Sequence, residues 1–380
     1  MKTYITALKP IFVLALLALP AFAAFPNGYS YCKVVTTSAT MVSGTSDLIN
    51  YPLTVILADN DLRTVANSGF VNNANGYDIG FYPDCSGSGA PLKWEMESYS
   101  PTTGAIVAHV LRPTLSHTAN DTIGMFYGGS FSSFQSTASA VWDVNYLGVW
   151  HLPNGTTLSA NDSTANARHL TINGALGGAA GQIDGGTTKM DGSTQYLSNL
   201  SIASPNSITY SLWTNIATAD AAYGQGGLYF ANGSTASPRI LSHMPYSDKV
   251  LYWDYGNATG NDGRVSTNYA SYMDAWTYVT LTYDNSTGVH VIYLNGSQIV
   301  SNTHVVANPS LTGIAIGRYG DSSPAYDKRK VDELRLSNIA RSGDWTLTEY
   351  RNQSAPGTYI STGPRMTSAA RARHIVIGGI

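Results

Sequence analysis

The sequence predicts an all-β protein built from two β-sandwich modules in tandem, and three observations carry that prediction. Short runs of alternating apolar and polar residues recur along most of the chain, separated every eight to twelve residues by Gly, Asn or Asp turn signals. No helix-period pattern of useful length interrupts the first of the two halves. The composition also fits: hydrophobic residues make up 43% and charged residues only 12%, while Gly (37) and Tyr (25) are abundant. A charged share near half the usual ~25% suits a β-protein whose surface works by hydrogen bonding and stacking. A chain of 380 residues is long enough for two such cores.

The N-terminus reads as an export signal over residues 1–23. Lys2 and Lys9 supply positive charge, Ile11 to Leu19 is apolar, and Ala21-Phe22-Ala23 offers small residues for cleavage. The apolar run is short for a membrane span, and no later stretch is long and apolar enough to cross a bilayer. The expected mature chain is secreted or held at the cell surface, without stable membrane insertion after cleavage. Its two cysteines, Cys32 and Cys85, are expected to form one disulfide in that setting. A net charge of −3 leaves no basic stripe, which removes the electrostatic term that nucleic-acid binding needs.

The first module spans 24–143. Tyr29 to Val35, Tyr51 to Leu57, Asp78 to Tyr82, Leu92 to Tyr99, Ala105 to Leu111 and Thr122 to Tyr127 read as strands, with turns at Asn75-Gly76, Ser86 to Gly89 and Thr103-Gly104. Glu95 and Glu97 form a same-face carboxylate pair, the kind retaining glycosidases use. Alternation places Trp94 and Met96 in the core, however, and so predicts that the two glutamates face solvent. The run Gly76-Tyr77-Asp78-Ile79, Trp94 to Tyr99, Ile123 to Gly128, Val141-Trp142-Asp143 and Gly148 to Leu152 resembles a bacterial module catalogued as domain of unknown function 2341. That resemblance implies a β-sandwich and export and assigns no reaction.

The second module spans 144–352 and opens on a seam: an apolar run to Leu152, a turn at Pro153-Asn154-Gly155, a polar loop from Ser159 to Ala167, and a return at His169 to Ile172. Strands follow at Ile208 to Thr214, Gly227 to Ala231 and Val250 to Tyr255. Next come Trp276 to Tyr283, Val289 to Leu294, Gln298 to Val300, Ile314 to Gly317 and Val331 to Leu336. The best hairpin runs from Trp276 to Val300, turning at Asp284 to Gly288 and again at Asn295-Gly296, and Asn173-Gly174 is a further strong hairpin dipeptide. Val149 to Leu152 with the Asp162-Ser163 loop, Gly181 to Gly185, Met190 to Leu197 and Val331 to Arg335 before Ser337 to Ser342 resemble the LamG-like, concanavalin A-like lectin/glucanase jelly roll. One fold of this kind serves lectins, adhesion modules and hydrolases alike.

The resemblance implies calcium as a cofactor, and Asp162, Asp191 and Asp332 are the candidate ligands, with Asp162 and Asp332 expected to converge from neighbouring first and last strands. Each of them is equally suited to capping a local turn. A sugar site calls for exposed aromatics; of Tyr223, Tyr246, Tyr252, Trp253, Tyr255, Tyr269, Tyr272 and Tyr326, the residues assigned to ligand contact are Tyr223, Tyr255 and Tyr326. His151, His169, His243, His290 and His304 show no metal-ligand spacing, and His151, set in an apolar run, reads as a structural histidine. No nucleophile elbow, phosphate loop or nucleotide fingerprint occurs. Residues 353–380 read as a tail. The expected function is non-catalytic recognition of a glycan or another cell-surface ligand. A glycoside hydrolase on the same fold and a structural adhesin acting through protein contacts are the alternatives.

Overall fold

A computed structural model describes residues 25, 28–153, 157–230, 238–256, 263–320 and 325–367. The expected export signal and the end of the tail lie outside the described residues.

Six strands open the fold: β1 (Tyr31–Thr37), β2 (Leu48–Ala58), β3 (Ile79–Tyr82), β4 (Trp94–Tyr99), β5 (Ala105–Leu115) and β6 (Asp121–Tyr127). β2, β5 and β4 make one antiparallel sheet, and β1, β6 and β3 belong to the other. Period-2 alternation decides which side chains meet between them. Leu53 and Val55 of β2, Ile106, Ala108 and Val110 of β5 and Trp94 of β4 pack on Val35, Ile79, Phe81, Ile123 and Met125. Cys32 and Cys85 are bonded as expected, with Cα atoms 5.9 Å apart, and tie β1 to the loop after β3.

The chain then crosses to the second module through β7 (Tyr146–Trp150). Short strands follow: β8 (Thr171–Asn173), β9 (Gly178–Ala180) and β10 (Gly185–Thr187), then β11 (Tyr196–Ala203), β12 (Ile208–Ile216), β13 (Leu228–Phe230), β14 (Arg239–His243), β15 (Val250–Gly256) and β16 (Arg264–Asn268). The remainder are β17 (Thr277–Asp284), β18 (Val289–Leu294), β19 (Ser297–Thr303), β20 (Thr312–Ile316), the small hairpin β21 (Arg318–Tyr319) and β22 (Ala325–Tyr326), and β23 (Arg329–Ser337). They assemble as a seven-stranded sheet, β16-β15-β14-β13-β20-β11-β8, and a six-stranded sheet, β19-β18-β17-β12-β23-β7. The two sheets bury Trp253, Tyr255, Ile240 and Ile314 of one against Tyr210, Leu212, Leu281 and Leu334 of the other, which is a sandwich. The Asn295-Gly296 turn has φ of 50° and 75°, the left-handed pair that a two-residue hairpin needs.

A helix, α1 (Gly343–Ser354), follows β23; Ser342 caps it by accepting from the Trp345 N–H at 3.1 Å. A short α2 (Pro356–Tyr359), β24 (Ile360–Thr362) and β25 (Met366–Thr367) end the described chain. These elements return to the first module. Trp345, Tyr359 and Ile360 are buried in its core. β24 and β25 both pair with β1, completing the sheet β24-β1-β6-β3. Residues 353–367 are therefore not a free tail. Their pattern is too short and too polar to announce a strand, and β1 supplies the partner that makes one.

α1 is buried on two sides. Asn352 accepts from the Thr54 N–H and donates to the Thr54 carbonyl, both at 2.8 Å, so its amide substitutes for a neighbouring strand along β2. Gln353 accepts from the Trp213 indole at 2.6 Å on the outer face of the six-stranded sheet. The helix thus wedges the two modules together.

Candidate functional site

Among the described residues, two places gather chemistry-bearing side chains: the buried seam between the modules, and a groove on the outer face of the seven-stranded sheet.

The seam is built from strand ends that each sequence reading treated alone. On β4, the pairing with β5 slips between Met96 and Ser98, which leaves Glu97 as the extra residue of a bulge. On β23, the pairing with β12 slips between Ser211 and Trp213, opposite Glu333 and Leu334, and Glu333 has a φ of 48°. Bulges of this kind re-aim side chains. Here they turn Glu97 and Glu333 toward His109 of β5 and toward His151, which follows β7. His109 Nε2 lies 2.8 Å from Glu97 Oε2. His151 Nδ1 lies 2.6 Å from Glu333 Oε1 and 3.6 Å from Glu97 Oε2. The two imidazoles stack with centroids 4.3 Å apart.

A ring of partners holds the far side of each group. His151 Nε2 is 3.0 Å from Glu95 Oε1, and the Trp142 indole donates to the same oxygen at 2.6 Å. Thr54 Oγ1 is 3.2 Å from His109 Nδ1. Arg335 donates to Glu333 at 2.6 Å and also to Glu349, which accepts from Tyr278 at 2.6 Å. The side chains of Glu97, His109 and Glu333 are fully shielded from water, and that of His151 is 6% exposed.

Burial and the neighbouring charges sort the protons. Burial, reinforced by the Glu333 charge, pushes Glu97 well above the ordinary carboxylate range. Burial, with the His151 charge added, pulls His109 well below the usual imidazole value. Burial works against the charged form of His151, but Glu333, Glu97 and Glu95 outweigh it and raise its pKa. Burial likewise opposes the Glu333 carboxylate, and His151 and Arg335 outweigh it in the other direction. The charged forms of His151 and Glu333 are thus favoured over those of Glu97 and His109.

Glu95 and Glu97 therefore do not face solvent. Alternation identified correctly the face opposite Trp94, but the second module covers that face. His151 is buried as expected, yet it belongs to a cluster, and His109 and Glu333 were missed. The available signal was a Glu-x-Glu strand beside a second strand with a histidine among apolar residues, and it needed the pairing of β4 with β5 to become legible.

The expected calcium ligands are not brought together. Asp162 accepts from the Val149, Thr164 and Arg168 N–H groups at 2.8–3.0 Å and organises the seam loop. Asp191 accepts from the Ser193, Thr194 and Gln195 N–H groups within its own turn. Asp332 accepts from the Gln182 and Ile183 N–H groups at 2.7 and 2.9 Å. Each carboxylate caps a different loop. Among the described residues, the one group of three or more His, Cys, Asp or Glu side chains placed to hold an ion is Glu97, His109, His151 and Glu333.

The groove lies over β14, β15 and β16. Alternation turns Ile240, Trp253 and Tyr255 into the core and leaves Arg239, His243, Tyr252, Asp254 and Arg264 on the opposite face. Asp254 is fully buried between two guanidinium groups: Arg264 donates to both of its oxygens at 2.6 and 2.8 Å, and Arg239 donates to Oδ2 at 2.9 and 2.6 Å. Tyr246, Tyr252 and Tyr319 surround the His243 ring at centroid distances of 5.0, 6.2 and 5.3 Å. Gln225 and Asp248 complete a cavity of about 330 Å³. His243 donates through Nδ1–H to the Gln225 carbonyl at 2.7 Å, and burial lowers its pKa to about 4.

None of the three assigned tyrosines lines this groove. Tyr255 is a core residue, stacked on Tyr283 at 3.9 Å with its hydroxyl donating to the Pro205 and Asn206 carbonyls; its place on β15 requires that. Tyr223 is exposed, with the Lys328 ammonium 3.9 Å from the centre of its ring. Tyr326 is half-buried against Tyr196. Tyr246 and Tyr252, weighed in the sequence, do line it. Arg239, Arg264 and Tyr319 were not singled out from the sequence; Arg239 and Arg264 flank Asp254 only once β14 and β16 pair with β15 on either side.

The Concanavalin A-like lectin/glucanases superfamily matches residues 184–345, within the second module. No curated protein sequence matches the chain. Among solved structures, domain 4 of AbnA, a GH43 extracellular arabinanase from Geobacillus stearothermophilus, in complex with arabinotriose, is 18% identical at a TM-score of 0.43, covering 54% of this chain and 98% of that domain. The ligand binding domain of botulinum neurotoxin serotype D in complex with N-acetylneuraminic acid is 13% identical at a TM-score of 0.43, covering 57% and 53%. The binding domain of Paraclostridial Mosquitocidal Protein 1 is 13% identical at a TM-score of 0.40, covering 55% and 52%. The chain spans about half the length of the last two.

Proposed function

We propose that the protein is an exported, non-catalytic carbohydrate-binding protein that takes its ligand in the groove over β14, β15 and β16. The observation that carries this reading is the groove itself: three tyrosine rings around a cavity of about 330 Å³ floored by two arginines and a histidine. Sugars present apolar C–H faces to aromatic rings and hydroxyls to planar donors, and the groove offers both. Its charged groups support binding rather than hydrolysis. Asp254 spends its oxygens on Arg239 and Arg264, and Asp248 accepts from Tyr252 at 2.7 Å. Among the described residues, that leaves no pair of unengaged carboxylates lining the groove. The disulfide and the N-terminal sequence support export.

A glycan array probed with the mature protein tests the reading, followed by calorimetry on the best ligand. Tyr252→Ala is expected to weaken binding at least about tenfold, or ~1.4 kcal/mol, while Tyr223→Ala leaves it unchanged. Chelator is expected to have no effect, because the groove holds no cluster of oxygen ligands among the described residues. A protein that binds no glycan, or one whose affinity ignores Tyr252, overturns the assignment and shifts weight to the structural-adhesin reading.

The groove also predicts a flat pH profile. An ordinary histidine gains its charge near pH 6.5, whereas His243, lowered to about 4, stays neutral throughout the range above 5. Affinity measured from pH 8 to pH 5.5 should therefore be constant, and a step near pH 6.5 would contradict the buried placement of His243.

A further inference from the structure

We propose that Glu97, His109, His151 and Glu333 form a binding site for a divalent transition-metal ion of the zinc type, closing the seam between the two modules.

The four candidate ligand atoms are Glu97 Oε2, His109 Nε2, His151 Nδ1 and Glu333 Oε1, and they face one another within 4.8 Å. In a tetrahedral zinc site with bonds near 2.0–2.1 Å, ligand atoms lie roughly 3.3–3.4 Å apart. The separations of 2.6 Å for His151–Glu333, 2.8 Å for His109–Glu97 and 3.6 Å for His151–Glu97 fall on either side of that value. Two imidazole nitrogens with two carboxylate oxygens suit zinc and its neighbours. Calcium takes six to eight oxygens, and this cluster does not offer them.

Three further features separate this cluster from an ordinary buried ion pair. Glu97 is completely shielded, yet its Oε1 has no hydrogen-bond partner. Such an oxygen is costly unless something else compensates it. Each remaining ligand is held from behind: His151 by Glu95, His109 by Thr54, and Glu333 by Arg335. Metal-bound histidines and carboxylates are oriented by such outer partners. Finally, both carboxylates sit at strand irregularities, and Glu333 takes a left-handed backbone conformation that a non-glycine residue adopts only at a cost.

Four protein ligands and almost no exposure describe a closed, structural site. Two ligands come from the first module and two from the second, so the ion would staple β4 and β5 to β23 and the segment after β7. It would fix the orientation in which α1 wedges between them.

The test uses the full mature chain with its disulfide kept oxidised. The protein is stripped with chelator in mild denaturant, refolded with Zn2+, Co2+ or Ca2+, and analysed for metal content. The expected result is one Zn2+ or Co2+ per chain, visible absorption bands of four-coordinate Co2+, and a Tm on the order of 10 °C higher at saturating Zn2+, with no change for Ca2+. His109→Gln keeps a hydrogen-bond partner for Glu97 and should weaken Zn2+ binding at least about 100-fold. Thr54→Val, which preserves shape, should weaken it about 10- to 100-fold by releasing the His109 ring and guards against a folding failure of the first variant. Wild-type protein that refolds yet holds less than one Zn2+ per chain and melts identically with and without it overturns the proposal. So does Zn2+ uptake that survives both substitutions, or a Co2+ spectrum of six-coordinate form.

Discussion

Replacing Arg335 by methionine is expected to destabilise the protein by about 3–5 kcal/mol, the cost of stripping one partner from a buried ion pair. Arg335 is 2% exposed at its side chain and lies between Glu333 and Glu349. Its guanidinium also sits 5.0 Å from the centre of the Trp142 ring. Removing it leaves the shielded Glu349 without its cation and strips Glu333 of one of two, His151 being the other, and Glu349 is already occupied on its other oxygen by Tyr278. Burial works against the charged guanidinium, but Glu349 and Glu333 outweigh it and raise its pKa. Lysine is not an adequate substitute, because a point charge cannot span the two carboxylates as a planar fork does. Urea denaturation monitored by tryptophan fluorescence reads the effect. The double substitution Arg335→Met with Glu349→Gln should recover a measurable part of the loss, since it removes one orphaned charge. A single variant within ~1 kcal/mol of wild type would show that the cluster is wetter than its burial implies.

The sequence exposed the strands and hid the seam for a common reason. Alternation is a local property, and most strands expected from it are present: Ile208 to Thr214 lies within β12, Trp276 to Tyr283 overlaps β17, and the turn at Asn295-Gly296 falls where it was read. What alternation cannot say is what covers the second face. Glu95 and Glu97 were assigned to water because polar residues opposite a core usually meet it; here Trp142 and His151 cover them. Nor does periodicity foresee a bulge, and Glu97 and Glu333 owe their directions to bulges. The aspartates show the converse. Asp162 and Asp191 lie in loops and Asp332 on β23, and each accepts from the backbone N–H groups of a different loop, so the three do not converge. On the groove side, the aromatic signal was real but its phase was missed: Tyr252 and Tyr255 differ by three positions on one strand, and this odd offset sends one outward and the other into the core.

Tyr359→Ala is expected to destabilise the first module by about 3–5 kcal/mol, as large-to-small changes of buried aromatics do. The residue lies more than 200 positions from that module's last strand, so the size of the effect tests how the fold closes. Tyr359 is fully buried, and it enters the first core together with Trp345, whose ring packs 5.1 Å from that of Tyr51. Just beyond it, Ile360 to Thr362 pair with Thr37 to Val35 and cover the edge of β1. A chain ended before Gly343 would therefore lose three core side chains, the Asn352 amide that satisfies the Thr54 backbone, and the strand that shields β1. An exposed edge of that kind invites association between chains. The truncated protein should aggregate or show early proteolysis within 25–143, whereas Met366→Ala, at an exposed position, should behave as wild type. If the truncated chain instead retains the first module's protection in hydrogen exchange, α1, α2 and β24 are an ornament on a self-sufficient sandwich. If protection collapses there, the first module is completed only when the end of the chain returns. The second module is then an insertion within it, and the ligands of the seam are brought together by that closure.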